Sequence, residues 1–539
     1  MKKLLIISIL LCSLSLSATK YYLSPNGNDS NSGTINSPFF NLSKVWTLIS
    51  AGDTVYMRGG TYSYTSQQVM TGKNGTSGNM IKVWAFPGET PVITKGNPYS
   101  YNNDYGYGCY FNGDYFHIKG IEITGFSQET PEVWHALRAY GNHNIFELLN
   151  IHHNGGGMIL ADNSDDNLIL NCDFHHQSDP LSPTPYNNGS GLSVAYIQYG
   201  STNTVRGCRF WWNVGDGMDC YYNEGTVIMD SCWSFYNGFL IDTFIPSRET
   251  LGDGAGYKMG DQQNDHTNEI QRMIKNCLAF KNKSSGFFDN ESQCRVQADN
   301  NTAYLNGNIG FQIGDYAHII RNNIGYQNYY DGCFGVHHQN LVILNNTFLS
   351  CDVNNPAYFV SDADFLSLDP TGIDGPRQSN GNLPDLPFLK LAAGSDLIDT
   401  GIDVGLPYYS TFPDLGCAEY TSGSTNQPPV ILNQSFQINE NSPDATFVGT
   451  VVATDPNAGQ TLTYSILSGN TNNAFAINSS TGALTVSNTS ALNYEVTPSF
   501  ALIIKVQDNG TGNLSSQATI SVTILNINER PIIYNQTFQ

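Results

Sequence analysis

Basic residues are scarce in this chain. Only 24 Lys and Arg stand against 46 Asp and Glu in 539 residues, a formal net charge of −22. That balance excludes a surface that reads nucleic acid and a face that docks on anionic lipid. It also sets a condition on any polyanionic ligand, which needs a metal bridge or a local cationic patch to approach. Long apolar runs are equally rare. After Leu16 none reaches the roughly eighteen residues that a membrane-spanning helix requires, so no membrane span is expected. No Cys-x-x-Cys spacing occurs among the 11 cysteines, which leaves a zinc site of that kind without support.

What is present begins with an export signal. Met1 to Ala18 combines Lys2 and Lys3, an apolar run from Leu4 to Leu16, and a small-residue end at Ser17 and Ala18. The mature protein is therefore expected outside the cell, secreted or at the cell surface, where disulfides are permitted. Four of its cysteines, Cys172, Cys208, Cys232 and Cys277, fall at one point of a repeat and read as inward-stacked small apolar residues.

The repeat organises the first two thirds of the chain. Ile121, Leu149, Cys172, Cys208, Cys232, Cys277, Asn301, Asn323 and Asn346 are equivalent positions, at steps of 22 to 28 residues broken by two of 36 and 45. Such a period is one coil of a parallel β-helix, whose short strands bury their inner face only by stacking on neighbouring coils. Each coil also carries a Gly followed by an apolar residue, and the next residue faces outward. Aligning the glycines gives an outer column of Ile159, Ser193, Asp219, Lys258, Phe288, Gln312 and Phe334. Asp219 and Lys258 are thus predicted side by side, with Asp216 at the preceding turn. The insertions Ser178 to Asn188 and Leu240 to Asp253 flank this column and are predicted to wall a groove over it.

Along the chain, residues 19–420 form the β-helix unit. Asn41 or Ser43 is predicted to cap a helix through Ile49 that buries Val45, Trp46, Leu48 and Ile49 and covers the open end. Coils run from about Asp53 to Ser350, and Cys351 to Tyr420 lose the period and pack back along the helix. Residues 421–429 read as a linker by their Gly, Ser, Asn and Pro content. Residues 430–530 alternate apolar and polar positions in short strands, the pattern of a β-sandwich. Asn426 to Gln437, "NQPPVILNQSFQ", recur at Asn528 to Gln539 as "NERPIIYNQTFQ", an offset of 102 residues. Residues 531–539 therefore read as the start of a second repeat, and a longer protein is expected. The fold class is all-β, a parallel β-helix followed by a sandwich.

The stretch "GDGAGYKMG", with "IKNCLAFKNKSSGFFDN" after it, resembles the family 9 pectate lyases, right-handed parallel β-helix enzymes whose base is a lysine in a G-F-K-x-G-type segment. The resemblance implies a polysaccharide lyase with Lys258 as catalytic base and an acidic polysaccharide as substrate. Family members hold calcium through four aspartates in N-A-D-G-F and D-D-G-x-D segments. The matching stretches here are "NGSGL" and "GDGMD", so Asp216 and Asp219 are the implied metal ligands, with Ser190 and Gly215 at the other two places. The second domain is similar to a bacterial cadherin-type repeat in "NEN", "ATDPNAG", "LNYE", "VQDNG" and "NINERP". That resemblance implies calcium on Glu440, Glu495, Asp508, Asn526, Asn528 and Glu529, and contacts from repeat to repeat or with a cell surface.

β-Elimination of a uronide requires a base for the proton beside the carboxylate, a charge to stabilise the enediolate, and departure of the glycosidic oxygen. A free lysine has a pKa of about 10.4, so a neighbouring cation or burial must lower it. Calcium on Asp216 and Asp219 would do so; without it the same aspartates would hold an ammonium. Asp219, Tyr257, Trp212 and Arg272 are the candidate substrate contacts. Trp211, Tyr221, Tyr222 and Trp233 offer further ring faces, and Arg248, Lys281 and Lys283 further cations. The doublets His152, His153 and His175, His176 read as a polar ladder on two successive coils. Two other functions compete with the lyase. One is a hydrolase using Asp216 and Asp219 as acid and base, although no "GHG" or "RIK" segment of the polygalacturonase type is present. The other is a non-catalytic glycan-binding adhesin.

Overall fold

A computed structural model describes residues 18–100, 106–131, 135–239, 252–260, 269–290, 292, 294–314, 316–330, 342–348, 358–421, 426, 428–457, 460–510 and 512–528. The signal segment Met1 to Ser17, Arg248, Phe334, Glu529 and most of the Leu240 to Asp253 insertion lie outside them. The chain divides into two compact units, residues 1–420 and 421–539.

Unit one is a parallel β-helix of three long sheets with twelve, nine and ten strands. A complete coil adds one short strand to each sheet, and each pairs in parallel with the equivalent strand of the next coil. The inner faces form one continuous core from Leu23 to Phe348. Polar residues run through it as ladders. Cys172 Sγ accepts the Leu149 N–H, Cys208 Sγ that of Cys172, and Cys277 Sγ that of Cys232. The ladder then passes to Asn301, Asn323 and Asn346, whose Oδ1 atoms accept from the preceding coil at 2.8 to 2.9 Å. All the repeat positions named above from Leu149 onward fall in this one column, and the cysteines are buried and free. A second ladder joins Asn154, Gln177, Asn213, Asn237, Asn282, Asn306 and Asn328. Each buried amide satisfies the backbone of one neighbour and donates to another, which a dry interior demands.

Two details differ from expectation. The first rung is Lys20–Leu23, which pairs with Thr54–Met57, so the stack starts before the helix. The helix itself is only Leu42–Trp46. Leu42, Val45, Trp46 and Ile49 are buried but Leu48 is 41% exposed, because the helix ends before Leu48 reaches the packed face. Trp46 stacks on Phe116 at 4.9 Å. Asn41 makes no side-chain cap; its amide is held by Asp29 instead.

The described part of the segment 358–420 packs on the outer face of the ten-stranded sheet, where Trp211, Phe235, Phe280 and Tyr304 meet Phe365, Phe388 and Leu397. Arg377 and Arg209 both grip Asp173, and Arg209 also donates to the Ile373 and Gly375 carbonyls. Unit two has a four-stranded sheet, Gln434–Asn439, Ser515–Leu525, Ser499–Gln507 and Thr463–Ser468 in spatial order, facing a three-stranded one. Alternate residues such as Leu502, Ile504, Ile520 and Val522 fill the space between them.

The amide ladder is open to a direct check. Asn282→Ala strips the acceptor from the Asn237 N–H and side-chain amide, both buried. Urea denaturation should show unit one destabilised by about 3 kcal/mol; a loss below about 1 kcal/mol would make the ladder passive.

Candidate active site

The recurring glycines explain why the site is where it is. A Cβ on Gly217 would lie 2.6 Å from the Gly256 carbonyl oxygen, and one on Gly256 would lie 2.6 Å from that of Gly286. Those same carbonyls accept the Met218 and Tyr257 N–H groups of the neighbouring coils. Only glycine lets the coils approach closely enough to make the bond, and the bond fixes which residue faces out two positions later. The register is Ile159 beside Ser193, Ser193 beside Asp219, Asp219 beside Lys258, Lys258 beside Phe288 and Phe288 beside Gln312. The column predicted from the sequence is present along its described length.

Lys258 Nζ donates to Asp253 Oδ2 at 2.7 Å and lies 3.6 Å from Asp216 Oδ2. Asp216 is 1% exposed. Its Oδ1 accepts the Ala255 N–H at 2.7 Å, while its buried Oδ2 has no hydrogen-bond donor. Burial pushes the Asp216 pKa up to about 7, against the pull of Lys258 and with the help of Asp219 and Asp253. Burial alone would depress the Lys258 ammonium, but Asp216, Asp219 and Asp253 outweigh it and raise its pKa well above the ordinary value. Asp253 was not singled out from sequence, although it stands only five residues before the lysine. Lys283 donates to the Gly252 carbonyl at 2.8 Å and so ties down the residue beside Asp253.

A cleft of about 440 Å³ lies over the column. Asn187 and Asn188 of the first insertion form part of its wall, with Ser190, Ser193, Tyr196, Asp219, Tyr221 and Lys258, and it continues to Tyr107, His135 and Arg138. Arg138 extends the same outer column, two coils beyond Ser193. Its guanidinium sits over the Tyr107 and Tyr140 rings at 5.2 and 4.9 Å, donates to both hydroxyls, and has Asp162 at 3.6 Å. Sequence reading missed it because Ala136 replaces the marker glycine in that coil. "Gly108-Cys109-Tyr110" in the coil before carries the pattern and could have extended the count.

Several predicted contacts are corrected. Tyr257 faces inward, fully buried, stacked on Phe287 at 5.1 Å with its hydroxyl near the Leu278 carbonyl. It precedes the outward Lys258, so strand alternation puts it in the core. Arg272 is 1% exposed and its guanidinium donates to the carbonyls of Met259, Gly225, Gln271 and Asn223. It clamps turns and has no hand free for substrate. Trp212 stacks on Tyr236 at 4.9 Å and packs against the 358–420 segment, off the cleft. Asp216 is 1% exposed and is not part of the cleft lining, with its Oδ2 turned to Lys258, so it does not face the groove as the acid of a hydrolase pair.

In unit two the expected ligand set divides between opposite ends. Glu440 accepts the Tyr494 and Ile527 N–H groups, and Glu495 accepts from Asn526, with Asn528 two residues on. Asp508 accepts from Asn426 and Gly510 at the other end of the sheet. Ten strand residues separate Ser515, beside Asp508, from Leu525, beside Glu440, or about 30 Å. One ion cannot join them.

A cleft along one outer sheet of a parallel β-helix, floored by a lysine among carboxylates, is the layout of a polysaccharide lyase. Comparison with known proteins agrees. The Pel9A-like right-handed β-helix family model matches residues 21–360, and a cadherin domain model matches residues 434–525. Pectate lyase L of Dickeya dadantii is 30% identical over 74% of this chain and 90% of its own length. The crystal structure of pectate lyase Pel9A aligns with a TM-score of 0.60 at 27% identity, covering 76% of this chain and 98% of that one. A rhamnogalacturonan lyase aligns with a TM-score of 0.60 at 25% identity, covering 70% and 97%. The chain belongs to the Pel9A-like right-handed β-helix family and is a polysaccharide lyase, followed by a cadherin domain.

The buried carboxyl gives a pH dependence that needs no substrate. Between the ordinary Asp value of 3.8 and about 7 the folded chain keeps a proton on Asp216 that the unfolded chain releases. Stability must therefore fall as pH rises through that window. With divalent ions chelated, Asp216→Asn should flatten this fall and be more stable than the parent above pH 7 by about 2 to 4 kcal/mol; parallel pH profiles would show Asp216 to be ionised throughout.

Proposed function

We propose that the protein is a secreted lyase that cleaves a uronate-containing, pectate-like polysaccharide by β-elimination, with Lys258 as the base and calcium as cofactor. The observation that carries this reading is the acid-bound Lys258 on the floor of the cleft. The named relatives are pectate lyases, which favours a galacturonan-like chain as substrate.

The donor set favours a cation. Asp216 offers a buried oxygen with no donor, and Asp219, three residues later in the same coil, stands beside Lys258 on the outer column. Gly215 stands where a further carboxylate is expected; a Cβ there would sit 3.1 Å from the Gly189 and Ser190 backbone, which would have to give by a few tenths of an ångström. Asp216 and Asp219 would hold the ion, which when bound neutralises carboxylate charge and stabilises developing negative charge on the substrate. Relieved of part of that field, Lys258 can lose its proton and take the one beside the uronate carboxylate. Asp253, hydrogen-bonded to Nζ, aims the lysine and receives its hydrogen bond again once the proton has moved. Tyr196 and Tyr221, 45% and 39% exposed, present ring faces at the cleft for sugar stacking.

Arg138 would bind a second uronate carboxylate four rungs from Lys258, at about 4.8 Å per rung, or roughly 19 Å. Its tyrosine cage keeps the guanidinium oriented in advance. The cadherin unit would bind calcium at each end separately, through Glu440, Glu495, Asn526 and Asn528 at one end and Asp508 at the other, and would join further repeats or a surface.

Ultraviolet absorbance of unsaturated product, measured on a panel of uronans, tests the assignment. Lys258→Ala should lower turnover by a factor of about a hundred to ten thousand, chelation should abolish it, and calcium should restore it. Unsaturated product from Lys258→Ala at the parental rate would end the reading, and no product from any uronan would leave a glycan-binding β-helix. Arg138→Ala should raise KM on long chains by about tenfold, the worth of one charged hydrogen bond, with kcat unchanged and short oligosaccharides unaffected. Equal losses on long and short substrates would place Arg138 outside the binding track.

A further inference from the structure

On another sheet, two coils each end a strand of the ten-stranded sheet with a histidine doublet. His152 closes Asn150–His152 and His175 closes Asp173–His175, while His153 and His176 follow in the left-handed turn conformation at φ 54° and 56°. Register stacks the doublets. The His152 and His175 rings are 4.8 Å apart at 9°, and the His153 and His176 rings are 4.8 Å apart at 7°. Within each doublet the two Nδ1 atoms lie 2.7 Å apart.

The surroundings fix which nitrogen of each strand histidine carries the proton. His152 Nε2 faces Glu122 Oε1 at 3.2 Å, and His175 Nε2 faces Asn150 Oδ1 at 3.0 Å. Both partners are acceptors, so each Nε2 donates; His175 Nδ1 presents its lone pair to His176, and His152 Nδ1 faces both His153 and the Thr124 hydroxyl, the latter at 3.1 Å. An outer carboxylate or amide oxygen that holds the far nitrogen is how proteins orient metal-ligating histidines. Trp211, stacked on His175 at 4.1 Å, completes a rigid wall. Among the described residues, His152, His153 and His175 are the one group of three or more His, Cys, Asp or Glu whose ligand atoms all lie within 4.8 Å of one another.

We propose that His152, His153 and His175 form a binding site for a borderline divalent transition metal of the zinc, copper or nickel class. Neutral imidazole nitrogens suit these ions and not calcium. On binding, the His153 proton moves by exchange with solvent from Nδ1 to Nε2 and the ion takes its place against His152 Nδ1, while His175 Nδ1 exchanges its His176 donor for the ion, so that three neutral imidazoles cross-link two successive coils. This site shares no residue with the lysine and its carboxylates.

Zinc titration of the chelator-stripped full chain, in excess calcium to occupy oxygen sites, tests the inference. One zinc per chain is expected. His153→Asn, chosen because asparagine tolerates the left-handed turn, should weaken it by about tenfold to a hundredfold, while the same change at His143, a half-buried left-handed histidine outside the cluster, leaves it intact. Copper-loaded parent protein should show imidazole nitrogen couplings in its electron paramagnetic resonance spectrum, a readout that does not depend on a variant folding. Zinc uptake equal in the parent and His153→Asn, or a copper spectrum with oxygen ligands only, would overturn the proposal. Either result leaves the lyase reading untouched, since uronan cleavage is measured separately.

Discussion

Lys258 Nζ sits 2.7 Å from one carboxylate and 3.6 Å from another that is buried, and the rest of the site takes its meaning from that charge balance. Three acids around one ammonium leave the group too well stabilised to act as a base. The same crowding leaves Asp216 with an unfilled oxygen and a pKa near neutrality. The proposed divalent cation among the carboxylates would relieve both. For the proposed acidic substrate that charge would serve a second purpose, because a net charge of −22 repels a polyanion.

The scaffold supplies precision at the site through hydrogen bonds remote from it. Glycine carbonyls lock adjacent coils, and buried Asn and Cys ladders satisfy the turns. Lys258 is held in its sheet by a stack of six described strands on one side and two on the other. That is why two strands of only two residues, Met218–Asp219 and Tyr257–Lys258, can carry the proposed chemistry.

Much of this was legible in the sequence because a β-helix is close to one-dimensional. The period placed Asp219 next to Lys258, and the equivalence of Cys172, Cys208, Cys232 and Cys277 with later asparagines emerged as one ladder. Errors arose where a residue's direction depends on more than the period. Tyr257 is one position off the outward column, and one position is the difference between core and cleft. Arg272 is a charged residue that turn carbonyls satisfy inside the protein, a pairing no local pattern announces. Asp253 and Arg138 escaped for opposite reasons. The first lies at the end of an irregular insertion, and the second lies in a coil whose marker glycine is an alanine. In the sandwich, motifs similar to one family's ligands were read as one set, although strand length carries Asp508 to the far end from Glu440.

The central claim concerns the protonation of one side chain, and it can be measured there. Nuclear magnetic resonance titration of the Lys258 side-chain methylene, assigned by comparison with Lys258→Ala, reads the amine pKa with and without calcium. The expected result is a pKa above that of an ordinary lysine in chelator, falling when calcium is added. A pKa at or below the ordinary value in chelator, or one that calcium does not move, would contradict the account.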